Sequence, residues 1–282
     1  MKKENEYIRV KDSFLSMEFF SLFIEKKTEI LYTFPKPSEE KLPAYYDSTN
    51  YLSHSKKGSS LFYNIYFISR KIMLFLKLKL ISGFFLDSGK AVDVGSGTGF
   101  FLSRLKKKGW SVVGIEPNQK AREYAKSKDI DHTKELKDLK IGSQDLVTFW
   151  HSLEHMYKLK ETLLQAKKAL KNKGILLVAC PNYTSWDANY YKEDWAAWDV
   201  PRHLQHFSPN SLKTLLEPAG FVQLQKTPLL LDAFYISIMS ESQKGNRFSF
   251  LKGLFIGLVS NLVGFTTGNY SSQVYIFQKK DI

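Results

Sequence analysis

Asp93-Val94-Gly95-Ser96-Gly97-Thr98-Gly99, followed at once by Phe100-Phe101-Leu102-Ser103-Arg104-Leu105, is the stretch on which the reading of this chain turns. The apolar run before it predicts a strand, the glycines a sharp turn, and the residues after Gly99 a helix. Glycines here let the backbone turn tightly and let a ligand approach main-chain N–H groups at a helix N-terminus. The spacing is G-x-G-x-G; a dinucleotide fingerprint, G-x-G-x-x-G, would put its third glycine at position 100, which is Phe. Asp93, two residues before the first glycine, would repel a pyrophosphate and attract a cationic amino-acid ligand. The second strand ends in Gly114-Ile115-Glu116-Pro117, which places Glu116 23 residues beyond Asp93. That is near the spacing of about 20 at which a ribose-binding carboxylate is expected.

Outward from the loop, the chain after Lys90 alternates short β-type apolar runs with amphipathic segments, as a parallel sheet with crossover helices requires. Strands are predicted over Ala91–Val94, Ser111–Glu116, Asp145–Trp150, Ile175–Cys180, Phe221–Leu230 and Gln273–Gln278, with a weak one near Asp131–Glu135. Helices are predicted over Gly99–Lys108, Pro117–Lys128, Leu159–Asn172 and Pro209–Pro218, with Gly109, Gly174 and Gly220 where C-terminal glycines belong. The expected fold class is α/β and doubly wound. Before Lys90 the pattern differs. Ser13–Pro37 reads as short strands ending at Pro35-Lys36-Pro37, then Ser38-Glu39-Glu40 caps a short helix through Tyr46. Leu61–Ile81 is an apolar helix with a scattered basic face, which either covers the following domain or touches a membrane surface.

A chain of 282 residues is long enough for one large domain, or one domain with an appendage, and for a full core. Its single cysteine excludes a disulfide framework, a C-x-x-C redox pair and cysteine-rich zinc sites, and fits a reducing cytoplasm. The net charge of +13 favours anionic partners without choosing among them. The start, Met1-Lys2-Lys3-Glu4, has no apolar run behind it, so no secretory signal is expected. Two stretches invite a membrane reading, Leu61–Ile81 and Phe250–Phe265. The first is broken by Arg70, Lys71, Lys77 and Lys79, and the second is about 16 residues long with Lys252 and Asn261 inside, so neither is expected to span.

The loop, with Asp145-Leu146-Val147, Leu153-Glu154-His155 and Lys173-Gly174-Ile175-Leu176-Leu177-Val178, resembles the S-adenosylmethionine (SAM)-dependent methyltransferases of the class I Rossmann-like kind. Within them it is similar to the branch containing the ubiquinone-biosynthesis O-methyltransferases, which share an L-E-H signature after the fourth strand. The resemblance runs from about Tyr45 to the C-terminus. It implies a Rossmann-like seven-stranded sheet whose last strand is antiparallel, plus a small N-terminal appendage, with residues 1–44 as the appendage and 45–282 as the methyltransferase domain. It implies SAM as cofactor, its methionine portion held by Asp93 and the backbone of Gly95, Ser96, Gly97, Thr98 and Gly99. Glu116, beside Pro117, would hold the ribose, and the Trp150–His151 region would also contact the cofactor. The appendage resembles a zinc-ribbon segment with a Pro-Arg-Pro-like turn, matched here by Phe34-Pro35-Lys36-Pro37. Glu25 and Thr28 stand where the cysteines would, so that metal is expected to be lost.

His151-Ser152-Leu153-Glu154-His155 also carries the H-x-x-E-H of inverted zinc proteases. Here it follows directly on a strand, no long helical pattern contains it, and no third ligand stands out downstream. The related quinone enzymes have an acid where His151 stands, so a divalent-metal role for their cluster does not transfer to His151, Glu154 and His155. No metal is expected.

Residues 181–207 hold Tyr183, Trp186, Tyr190, Tyr191, Trp195, Trp198 and Phe207 in a connection beyond a strand's carboxyl end, where ligands bind in this topology. The reading is an aromatic lid over the acceptor, with Tyr183, Trp186, Tyr191, Trp195, Trp198 and Arg202 as substrate contacts. A packed surface loop is the alternative. His203 and His206, and less so His155, are candidate general bases for deprotonating a hydroxyl. The apolar insertion 231–269 reads as a helical hairpin that caps the pocket, forms a dimer surface or touches a membrane. The expected function is intracellular SAM-dependent methyl transfer to a small-molecule or lipid- or glycan-linked acceptor, at oxygen by resemblance, with peripheral contact to the inner membrane face as an option. Rival readings are a catalytically silent SAM-fold or membrane-associated protein and a nucleic-acid methyltransferase. Against the latter, the sequence has no amino-methylation motif after the fourth strand and its basic residues are dispersed.

Overall fold

The computed structural model describes residues 5–46 and 60–281. Met1–Glu4, with its two lysines, lies outside the described residues. Two compact units divide the chain, one gathering 1–51, 151–159 and 178–276, the other 52–150, 160–177 and 277–282.

The large sheet has seven strands in the order β10-β11-β8-β7-β4-β5-β6. They are β4 (Lys90–Val94), β5 (Ser111–Ile115), β6 (Asp131–Thr133), β7 (Gln144–Trp150), β8 (Leu170–Pro181), β10 (Phe221–Pro228) and β11 (Ser272–Lys279). β4 pairs in parallel with β5, Ala91 opposite Val112 and Val94 opposite Ile115, and with β7, Val92 opposite Val147. Four of five residues in β4 and six of seven in β7 are buried, the near-continuous burial expected of a parallel sheet covered on both faces. β11 runs antiparallel to β8: Ser272 reaches the Cys180 carbonyl near one end, and Gln278 the Lys173 carbonyl near the other.

Helix α1 (Ser60–Ser82) precedes β4, α2 (Phe100–Lys106) follows the glycine loop, α3 (Gln119–Lys126) follows β5 and α4 (Leu159–Ala169) precedes β8. α1 buries Leu74 and Ile81, while Arg70 lies 4.0 Å over the Phe100 ring and Lys77 4.1 Å over that of Trp150. Two of its four basic residues therefore cover aromatic rings of their own unit, as a core-covering helix requires.

Three sequence expectations shift. The helix predicted to Asn172 stops at Ala169, and β8 begins at Leu170. The left-handed residue at that junction is Lys173 (φ 60°), not Gly174, whose Cβ would stand 2.9 Å from the Lys171 carbonyl. The strand predicted through Leu230 ends at Pro228, because Leu230 opens a helix, α7 (Leu230–Gln243).

The other unit holds a four-stranded antiparallel sheet, β1 (Glu6–Lys11), β2 (Phe19–Glu25), β3 (Ile30–Phe34) and the two-residue β9 (Gln205–His206), in that order. β1 lies ahead of the stretch read as strands. The β2–β3 turn is closed by Glu25: its carbonyl accepts from Thr28 and Glu29 N–H, and its carboxylate from the Thr28 hydroxyl. The two positions compared with zinc-ribbon cysteines thus bond to each other. The unit's remaining helices are α5 (Trp186–Tyr191), α6 (Pro209–Leu216), α7 and α8 (Ser249–Thr267). Ser208 caps α6 with a reciprocal Ser208–Ser211 capping box.

Candidate functional site

The glycine loop is built on backbone geometry. Gly95, Gly97 and Gly99 have φ of 76°, 52° and 66°, a region open to glycine at little cost. Gly95 and Ser96 N–H both donate to the Ile115 carbonyl, which pins the turn to the end of β5. A Cβ at Gly97 would meet nothing within 4 Å, so the loop backbone is open on that side. At Gly114 a Cβ would stand 2.6 Å from Ser96 Oγ and 2.7 Å from His132 Nε2, so glycine there makes room for the Ser96–His132 contact of 3.2 Å.

Asp93, at 3% exposure, accepts from the Thr148 hydroxyl at 2.6 Å. Burial drives its carboxyl up to about 7, against the Thr148 bond and the Lys77 charge, with Glu116 adding to the rise. Glu116 accepts from Gly97 N–H at 2.8 Å and Asn118 N–H at 2.9 Å, so one carboxylate ties the glycine turn to the entry of α3. Trp150 is buried against Phe101, its indole N–H without a hydrogen-bond partner among the described residues.

A second cluster, within the other unit, forms where the turn Leu153–His155 meets the segment 199–206. Leu204 N–H donates to the Glu154 carbonyl at 2.8 Å, and Thr33 N–H to the Leu204 carbonyl. This brings Glu154, His155, His203 and His206 together, residues far apart in sequence. Glu154 is 1% exposed, and neither carboxylate oxygen has a hydrogen-bond donor among the described residues. Burial would raise its carboxyl, but His151, kept protonated by Asp232, holds it below its usual range.

Hydrogen bonds fix two tautomers. His203 Nδ1 lies 2.9 Å from the Ala197 carbonyl, which can only accept, so Nδ1 carries the proton and Nε2 is a lone pair, 3.8 Å from Asp199 Oδ2 and 3.9 Å from Glu154 Oε1. The Thr33 hydroxyl donates to the His203 carbonyl, so it accepts from His206 Nε2–H at 3.1 Å. Burial, reinforced by His155, pulls His203 down to about 4, and burial holds His206 well below its usual value. Glu154, Tyr183, Trp195, His203, Gln205 and His206 line one narrow cavity. His151 is different: its Nε2 meets Asp232 at 3.0 Å, and although burial opposes the charge, Asp232 pushes it up to about 9.

The other residues read as acceptor contacts divide. Trp195 and Trp198, 2% exposed each, pack with Tyr191, Phe20 and Leu22 in one hydrophobic cluster. Trp195 donates to Asp187 and Trp198 to the Lys192 carbonyl. Tyr183 is buried, its hydroxyl on the Glu29 carbonyl, while Trp186 is half-buried and stacks on the exposed Tyr190. Arg202, expected to meet the acceptor, is instead 1% exposed and engages Asp12 and Asp199, each at 2.8 Å. Its charge is neutralised within the fold. The aromatic segment is thus largely core, since its large rings find apolar partners from the N-terminal sheet.

A family model described as a methyltransferase domain matches residues 63–226, more than half of the chain. The chain belongs to that family. The methyltransferase shares its fold with a SAM-dependent methyltransferase of Thermotoga maritima: 19% identity, 77% of this chain and 95% of that one covered, TM-score 0.53. It is also similar to one of Archaeoglobus fulgidus, at 19% identity with 74% and 94% covered and a TM-score of 0.50. A 57-residue stretch is 47% identical to a 23S rRNA (uracil(747)-C(5))-methyltransferase of Pyrococcus furiosus, and covers 20% of this chain but only 14% of that relative.

The cofactor of this methyltransferase is SAM. The residues at the glycine loop fit it: an open backbone at Gly97, a buried carboxyl at Asp93, and, at the end of β7, a Trp150 indole N–H with no hydrogen-bond partner among the described residues. Three groups next to the candidate residues escape a reading by motif alone. Glu154 is marked in the sequence only by L-E-H and H-x-x-E-H, neither of which places it beside His203, and His132 lies in the weak strand. Lys77 is one of several lysines on α1, with nothing in the sequence to mark its proximity to Asp93 and Trp150.

Proposed function

We propose that this methyltransferase moves a methyl group from SAM to an oxygen of a small or lipid-linked acceptor, with His203 as the base that takes the hydroxyl proton. The observation that carries the reading is His203 itself: a neutral imidazole with its Nδ1–H held by Ala197 and its Nε2 lone pair inside a cavity, next to an ionised, buried Glu154. Bound SAM supplies an activated methyl on a sulfonium. Asp93 and the Gly95–Gly99 backbone would hold its amino-acid end, and Glu116 its ribose hydroxyls. His203 Nε2 accepts the proton as the oxygen loses it, and Glu154 offsets the charge left on the ring. The low basicity of His203 suits a proton taken as the oxygen–carbon bond forms. His206, which spends its Nε2–H on Thr33, serves as a positioning residue, and His155 supports the Arg202 carbonyl through Nδ1.

The test is transfer of isotope-labelled methyl from SAM to components of a cell extract, with the product's methylated atom read by mass spectrometry. An O-methyl product is expected. His203→Ala should lower the rate about 10²–10⁴-fold, the usual worth of a positioned base, at unchanged SAM affinity. An N- or C-methyl product, or an undiminished rate in His203→Ala, would overturn the reading.

A further inference from the structure

We infer that the outer face of α8 lies in the interface of an anionic lipid bilayer, attaching the protein to a membrane from one side. The two faces of the helix differ in kind. Inward it presents Gly253, Ile256, Gly257, Ser260 and Gly264, all buried, with Gly253 and Gly257 against α7. Close approach requires the glycines: a Cβ at Gly253 would stand 2.5 Å from Ile238 Cα, and one at Gly257 2.7 Å from Phe234 Cα. The opposite face carries Leu251, Phe255, Leu258, Leu262 and Phe265, between 49% and 82% exposed, with Phe248 at 66% just before the helix. At 100° per residue these six side chains fall in one stripe about 100° wide and about 25 Å long. An exposed apolar patch of this size on a folded domain marks a contact surface.

The composition of the stripe decides its occupant. A protein partner's interface carries about one hydrogen bond per 100–200 Å², whereas none of these Phe and Leu side chains can make one. Acyl chains ask for none. The charges around the helix suit acidic headgroups: α8 contains no acidic residue, Arg247 stands one position before Phe248, and the chain carries +13 overall.

The helix lies flat and does not cross. At 19 residues it is long and apolar enough to span by length and composition, longer than the stretch of about 16 read from sequence. Its inner face, however, is fastened to polar groups of its own unit. Ser260 donates to Asp187 at 2.7 Å, Asn261 to the Leu230 carbonyl at 2.9 Å, and Lys252 pairs with Glu241 on α7 at 3.0 Å. Those partners cannot accompany it into hydrocarbon.

The experiment is co-sedimentation of the full chain with vesicles of 3:1 phosphatidylcholine and phosphatidylglycerol, and with phosphatidylcholine alone, at low and high salt. Expected is binding to the anionic vesicles that weakens with salt. The double variant Phe255→Ser/Leu262→Ser should lose at least about tenfold in partitioning, because two large apolar groups leave the acyl boundary. Its SAM affinity should equal that of the parent, which shows that the variant is folded. Failure of the parent to bind anionic vesicles would overturn the inference. So would undiminished binding by the double variant, or a dimer in solution that the double variant dissociates, which would make the stripe a contact between copies. Each of these results leaves methyl transfer itself untouched.

Discussion

The glycine loop and the Glu154–histidine cluster are two ways of building a polar site, and they differ in what holds them. In the loop, conformation comes from neighbours in sequence: three positive-φ glycines, a carboxylate at each strand end, and one bridge from Glu116 back to Gly97. The cluster is assembled by long-range bonds, Leu204 N–H to the Glu154 carbonyl and Thr33 to His203, supported by Arg202 on Asp12 across 190 residues. The loop should therefore fail locally and the cluster globally.

The largest expected effect tests the global side. Arg202→Met leaves Asp12 buried without its cation, and breaking such a pair costs about 3–5 kcal/mol. A fall in melting temperature of roughly 10 °C is expected. A loss below about 1 kcal/mol would mean that the pair is not what joins the 199–206 segment to the N-terminal sheet.

Gly114→Ala tests the local side. Its Cβ would drive apart Ser96 and His132, and overpacking of this kind costs about 1–3 kcal/mol. SAM affinity should fall with it, while the vesicle binding argued for α8 stays as it was. An unchanged affinity would detach the Ser96 position from the cofactor loop.

A smaller effect separates the two regions by pH. Asp93 has a folded value near 7 against 3.8 unfolded, so the folded state binds the extra proton between those values. Its contribution to stability without cofactor therefore declines as pH rises from about 4 to 7. A cationic ligand pairs with the ionised form, so SAM affinity should climb through about pH 7 in the parent and stay flat in Asp93→Asn. His151, raised to about 9 by Asp232, runs differently: its stabilisation is complete below the unfolded value of 6.5 and fades as pH rises through 9. Thermal melts from pH 6.5 to 10 on Asp232→Asn should lose that upper slope.

The same contrast explains what was legible in the sequence. The sheet strands, the loop and Glu116 follow from hydrophobic runs and fixed spacings, and each predicted strand overlaps one strand of the seven-stranded sheet. Element ends were less legible where a local signal had two readings. Lys173 takes the left-handed conformation that Gly174 was expected to hold, and the apolar run from Phe221 continues through Leu230 although Pro228 ends the strand. The roles of Trp195, Trp198 and Arg202 were not legible, because an aromatic-rich connection looks the same whether its rings meet a ligand or the residues of β1 and β2. Nor could spacing pair Arg202 with Asp12, or tell that Ala197 fixes the His203 proton.

Calorimetric titration of SAM into the parent and into Glu116→Ala decides whether the glycine loop and Glu116 hold the cofactor. One site per chain is expected, with a loss of about 1.5–3 kcal/mol in the variant, the range for a hydrogen bond to a charged group. Equal affinity in the two proteins would overturn the assignment and move the ribose away from Glu116.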